Sequence, residues 1–455
     1  MQHLAQLLGV PSMGTLTGID ANTLRQSLDG LVALVNPCGA TFDITLPPEK
    51  LSLLSALGQG LKNRQLLGYY ALSEKEILTL SSDEIDITRG VLLAQLGPEK
   101  LVQIKTYEIL LDFMALQILA RLPKGFATPP KELIRAINDF IFEELRFRFP
   151  PHSLYADSID AYTFLPSVLE SRRGVCLGVS ILYLSLAQRL GLPLEIVTPP
   201  GHIYVRHKNN KGECINIETT ARGVHVDSEE YLNVNTCSLQ ERALKDVIGL
   251  AFFNQASLFL SQEKYTDAIT AYEKAKNYLP NDPLLNELLA YQYLFVGREA
   301  EGRALLLSQP DENLSHCIHG DDVREDFLSN KVTAEGIKVI FQHVDETRES
   351  VIRKRDALKK IVETCPEFRS GWFSLAVTWL QLHRQKEALE ALQQLETLDK
   401  EDPTTEYYLS MLYFERLDYS KAKEHLNRAQ SIVQKRNHAP KCLRELSREI
   451  ANVYP

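Results

Sequence analysis

The chain has 455 residues, of which 44% are hydrophobic and 24% charged. That is ordinary globular usage and enough for about three domains with sizeable cores, which excludes a disordered tail, a collagen-like fibre and a membrane bundle. Lys and Arg number 50 against 59 Asp and Glu, a net charge of −9, which counterion release at a phosphate backbone does not reward, so no nucleic acid partner is expected.

The seven cysteines, at 38, 176, 214, 237, 317, 365 and 442, include no CxxC pair. They read as reduced thiols, which points to a cytoplasmic location. The opening MQHLAQLLGVPSMG has no basic n-region, and no apolar run reaches the length of about 18 residues that a membrane span needs.

In chain order, residues 1–83 read as a helical N-terminal region. Asp20 is placed to cap ANTLRQSLDGLVALV, and Pro47 and Pro48 stand where LSLLSAL begins. Ser81 and Glu84 have capping-box spacing, and Ile87, Val91, Leu92 and Leu96 follow at helical intervals. Longer helical patterns lie near 100–121 and 129–146. The run RRGVCLGVSILYLSLAQRLGLP predicts a helix with Val179, Leu182, Tyr183, Leu186 and Leu190 on its apolar side, closed by Gly191 and Pro193. From Leu194 the period changes. LEIV, HIYVR and CINIETT are β-branched runs separated by Pro-Pro-Gly and KNNKGE, which is strand chemistry with turn punctuation. Helices followed by a small antiparallel sheet make an α+β domain, expected over 84–240.

From 245 to 455 the sequence repeats. Units of 34 residues starting at 249, 283, 369 and 403 place small residues such as Ala256, Ala268, Ala290, Ala376, Ala388, Ser410 and Ala422 at matching positions. Phe252, Tyr272, Trp372, Trp379 and Tyr413 supply the large ones. This is the tetratricopeptide pattern, in which small residues let paired helices approach and aromatics fill the gap. A divergent segment at about 310–368 interrupts it.

Cys176 opens the predicted helix after Arg172-Arg173-Gly174-Val175, where unsatisfied N–H groups and the helix dipole favour a thiolate. A lone cysteine there is more often a small core residue. His202 is expected to start the strand HIYVR, which forms a hairpin with CINIETT. A loop centred on Asn210 pairs Ile203 with Ile217, Val205 with Ile215 and His202 with Glu218. That register puts the isoleucines and the valine on the core face and His202, Tyr204, Asn216 and Glu218 on the other. Tyr204 and Asp160 could equally line a thiol cleft or be structural. The segment SHCIHGDD, with His316, Cys317, His319, Asp321 and Asp322, lacks a recognised metal-ligand spacing and reads as a polar loop, and IRKRDALKK at 352–360 reads as a solvated helix face. No metal or cofactor is expected.

The runs RRGVCLGVSILYLSLAQRLGLPLEIVTPPGHIYVRH and NIETTARG, with IDITRGVLLAQLG, INDFIFEELRFRF and FLPSVLESRRG upstream, resemble bacterial transglutaminase-like proteins of the SirB1 N-terminal-like kind, which often carry tetratricopeptide repeats. The resemblance implies a mostly helical α+β chain with a transglutaminase-like (papain-like) core and an α-solenoid. It also implies a catalytic triad of Cys176, His202 and Glu218, with Glu where the superfamily more often has Asp. The implied activity is cysteine-dependent acyl transfer on protein or peptide amides, as protease, amidase or transglutaminase, with the repeat groove recruiting a protein or peptide. The alternative is a non-catalytic scaffold.

Overall fold

The computed structural model describes residues 54–150, 161–309, 316–320, 322–345 and 347–454. The expected helix at Asp20, the Pro47 start of the helix expected over LSLLSAL, and the positions of Cys38, Asp160 and Asp321 lie outside them; the described end of LSLLSAL, 54–57, is helical. Contacts divide the chain into two units, Met1–Val226 with Glu241–Ala251, and Asp227–Gln240 with Phe252–Pro455.

In the first unit the Ser81–Glu84 capping box forms, but it closes only the short turn Ser82–Glu84. Helix α1 (Ile87–Leu96) is capped instead by Asp86, whose carboxylate accepts from the Arg89 N–H at 2.9 Å. Next come α2 (Leu101–Arg121), α3 (Pro130–Asn138, running on as a π-turn to Glu144), α4 (Leu165–Ser171) and α5 (Cys176–Leu190). Helices α2 and α5 bury residues around their whole circumference, which is why neither shows a clean apolar stripe. Gly191 ends α5 at φ +72°, the left-handed closure expected from the sequence. Strands β1 (Glu195–Thr198), β2 (Tyr204–Lys208), β3 (Cys214–Ile217) and β4 (Gln240–Arg242) form one sheet in the order β3-β2-β1-β4, with β1–β2 and β2–β3 antiparallel.

The repeats are helix pairs. Helices α6 (Leu244–Ser261) and α7 (Tyr265–Lys276) are followed by α8 (Pro283–Phe295) and α9 (Glu299–Leu307). Three helices outside the period, α10 (Asp322–Leu328), α11 (Ala334–Phe341) and α12 (Arg348–Thr364), precede α13 (Arg369–Gln381), α14 (Gln385–Leu398), α15 (Pro403–Glu415), α16 (Tyr419–Gln434) and α17 (Lys441–Val453). The small residues of the pattern, Ala256, Ala268, Ala290, Ala376, Ala388, Ser410 and Ala422, are all buried. The period also shows in the turns. Glu263 and Gly297, then His383 and Leu417, take the left-handed conformation 34 residues apart. Each is followed by the same closing bond, from the N–H of Lys264, Arg298, Arg384 or Asp418 to a carbonyl five residues back.

Leu417 is the costly member of that series: a leucine at φ +64° that is 70% exposed. Leu417→Gly should therefore stabilise the second unit by about 0.5–1 kcal/mol, the relief of left-handed strain less the entropy of a glycine. Trp372 and Trp379 lie on α13 and report this unit by fluorescence. A lower denaturation midpoint in the variant would mean that the leucine side chain, not its backbone, sets the turn.

Candidate active site

Cys176 is half-buried at the first position of α5, with Val175 as an N-cap that offers no side-chain acceptor. The first-turn N–H groups thus keep their partial positive charge beside the sulfur. The approach is tight because the Val175 N–H donates to the Tyr162 carbonyl at 3.1 Å. A Cβ on Gly178 would stand 2.2 Å from that same oxygen, so glycine is required two residues after the thiol for the chain to pass.

The hairpin forms, with a register different from the expected one. The observed pairs are Val205 with Ile217, Arg206 with Asn216, His207 with Ile215 and Lys208 with Cys214. The loop centres on Lys211 rather than Asn210: Gly212 takes the left-handed position at φ +82°, and the Asn209 side chain accepts from the N–H groups of Lys211 and Glu213. The slide is even, so every residue keeps its face. His202 does not pair on the sheet. It precedes β2, its N–H donating to the Pro199 carbonyl at 3.0 Å in the Pro-Pro-Gly turn. The expected split into a core face and an open face also fails, since Tyr204 and Asn216 are as buried as Val205 and Ile217.

Glu218 is therefore diagonal to His202, and its longer arm closes the gap: His202 Nε2 and Glu218 Oε2 are 2.6 Å apart. The other oxygen, Oε1, accepts from the Thr220 N–H at 3.1 Å and from the Thr220 hydroxyl at 2.6 Å. Thr219 turns the opposite way, its hydroxyl 3.4 Å from the Cys176 carbonyl and 3.1 Å from Ser180 Oγ. This side chain ties the strand end carrying Glu218 to the first turn of the helix carrying Cys176. Sequence reasoning missed both threonines, although the run Glu-Thr-Thr after a strand signals a side-chain cap, and Glu218 does cap the turn Thr219–Ala221.

Cys176 acts on the same imidazole and favours its charged form. Burial opposes charge on His202, but the hydrogen bonds from Cys176 and Glu218 outweigh it and push its pKa up to about 9.

Among the described residues two further groups bring metal-type ligand atoms within 4.8 Å: His319, Asp322 and Asp399, and Glu396, Glu406 and His425. An arginine already serves each. Arg369 lies 3.0 Å from Asp322 and 3.2 Å from Asp399, and Arg428 lies 2.5 Å from Glu396. Both are ion-pair clusters between helices. No helix among the described residues is long and apolar enough to cross a membrane.

A transglutaminase-like superfamily profile matches residues 105–247. The chain is 26% identical over 175 residues to a UPF0162 protein of Xylella fastidiosa strain Temecula1, covering 35% of this chain and 61% of that protein. It therefore spans about three fifths of that relative's length. A stretch of 75 residues is 33% identical to F-box only protein 21 of Mus musculus, covering 16% of this chain and 12% of that one. Among solved structures, MamA of Desulfovibrio magneticus RS-1 is similar at 14% identity, with 41% of this chain and 96% of that one covered, but its TM-score of 0.23 carries no argument. Residues 105–247, which hold Cys176, His202 and Glu218, belong to the transglutaminase-like superfamily.

Proposed function

We propose that this protein is a cysteine-dependent acyl-transfer enzyme acting on protein or peptide amides. The observation that carries the reading is one imidazole, His202, hydrogen-bonded to Glu218 and acted on by Cys176, a thiol at an uncapped helix N-terminus. In the proposed reaction the Cys176 sulfur attacks the amide carbonyl, and the N–H of Cys176 donates to the oxyanion. His202, charged beside the sulfur, gives its proton to the departing amine, which leaves a thioester on Cys176. The imidazole, now neutral, takes a proton from water or from an acceptor amine as that attacks the thioester, and free Cys176 returns. Glu218, itself held by Thr220, orients the ring and balances its charge. The helix pairs of the second unit supply the surface that recruits a protein partner. No disulfide joins the six described cysteines, which suits a reducing, cytoplasmic setting.

A screen of peptide-amide hydrolysis against amine incorporation, with Cys176→Ser as control, tests the reading. We expect turnover that the serine variant reduces at least about a hundredfold. If no preparation turns over any amide while Cys176 alkylates no faster than the exposed Cys214, the core is a structural module and the repeats alone carry the function.

A further inference from the structure

The chain is acidic overall, yet arginines gather at the mouth of the Cys176 helix. The Arg148 N–H donates to the Arg172 carbonyl at 3.0 Å, and the Gly174 N–H donates to the Arg148 carbonyl at 3.2 Å, which lays 146–148 alongside the run leading into Cys176. Arg222 follows the turn that Thr219 pins to the Cys176 carbonyl. Burial, joined by repulsion from Arg222, Arg146 and Arg173, holds the Arg148 pKa below the usual arginine range, and Glu143 pulls the other way.

Among the described residues, the carboxylates nearby are mostly spent. Glu144 pairs with Arg121, Glu170 accepts from Tyr107, Glu218 holds His202, and Glu143 stands 3.9 Å from Arg222. The guanidinium of Arg148 donates to the Phe142 and Phe147 carbonyls, which cancel no charge. Backbone conformation adds an independent mark. Among the described residues of the first unit, the non-glycine residues at positive φ are Arg146, Arg172 and Arg222. Each position costs about 1–2 kcal/mol relative to a glycine, and each carries a charge instead.

We propose that Arg146, Arg148, Arg173 and Arg222 form a docking surface for acidic polypeptide segments at the entrance to Cys176. Carboxylate side chains are the complement, because a basic surface confined to one mouth of a net-negative protein steers local acidic sequence and not a long polyanion. The acyl-transfer reading enters only in what becomes of the docked peptide; the docking itself stands without it.

The test is fluorescence anisotropy of a labelled poly-glutamate peptide with the full chain, against a glycine-serine peptide and an oligothymidylate of matching charge. We expect the acidic peptide to bind best, and to weaken at least about fivefold between roughly 50 and 250 mM salt. Arg173→Gln with Arg222→Gln should weaken it by a similar factor. Lys359→Gln with Lys360→Gln, which removes the same charge from an exposed face of α12, should leave it unchanged. Equal binding by wild type and the arginine double variant, equal loss in the lysine variant, or oligothymidylate binding as tight as poly-glutamate would each overturn the proposal. Iodoacetamide labelling of Cys176 reads the chemistry separately. Docking with an inert thiol removes the acyl-transfer reading alone, and a reactive thiol without docking removes this one alone.

Discussion

His202→Ala should slow iodoacetamide alkylation of Cys176 near neutral pH by roughly 10- to 30-fold, because an unassisted thiol with a pKa of about 8.5 is only a few per cent thiolate there. In the wild type the His202 pKa is pushed up to about 9, with burial opposing and the hydrogen bonds to Cys176 and Glu218 prevailing. The ring is therefore charged at neutral pH and supplies a fixed positive neighbour to the sulfur. The gap between wild type and His202→Ala should accordingly be widest where the ring is charged and should close as pH rises through about 9. Glu218→Gln should fall between the two, since it removes the charge but leaves a hydrogen-bonding group. Stability follows with a defined sign. A histidine pKa raised from 6.5 to about 9 stabilises the folded state fully below pH 6.5, and that contribution is lost as pH rises through 9. Identical alkylation profiles for wild type and His202→Ala, with the other cysteines as internal standards, would remove the dyad as an activating device.

The helix boundaries were legible because their punctuation is local. Gly191 closes α5 by the same left-handed geometry its position suggests, and the 34-residue spacing of small residues reappears as buried alanines. The parity of the hairpin was legible too, because alternation fixes which residues share a face. Its register was not. That depends on whether Gly212 or a residue nearer Asn210 takes the left-handed turn position, a choice made by side-chain bonds from Asn209 that a centred loop ignores. The error exchanged a directly opposed His202–Glu218 pair for a diagonal one, and the length of glutamate made up the difference. Aspartate, one methylene shorter, would suit the directly opposed geometry better than this one. The roles of Thr219 and Thr220 were invisible because they require knowing that the end of β3 abuts the first turn of α5.

Asp112→Ala should destabilise the first unit by about 3–5 kcal/mol, because it strands two arginines in a closed interior. The Asp112 carboxylate accepts from Arg189 Nε at 2.8 Å and pairs with Arg64. Arg189 is fully buried on α5 and also donates to the Thr88 hydroxyl at 2.7 Å and the Ser185 carbonyl at 3.0 Å. Burial pushes the Asp112 pKa up, against the pull of Arg189 and Arg64, so the pair persists only because each charge finds the other. A second buried pair, Arg89 Nη2 to Glu108 Oε2 at 2.7 Å, joins α1 to α2 on the same principle. Replacing both partners tests the origin of the loss. Asp112→Leu with Arg189→Met should lose less than Asp112→Ala alone, since no unpaired charge then remains on α5, even though Arg64 still lacks its acid. Both tryptophans lie in the second unit, so the measurement is hydrogen exchange of the α2 and α5 amides. Arg189 and Cys176 stand at opposite ends of one helix. Loss of the Asp112 anchor should therefore also lower the selectivity of Cys176 alkylation, by letting the far end of α5 shift; unchanged exchange in Asp112→Ala would show that packing alone holds the helix that presents the thiol.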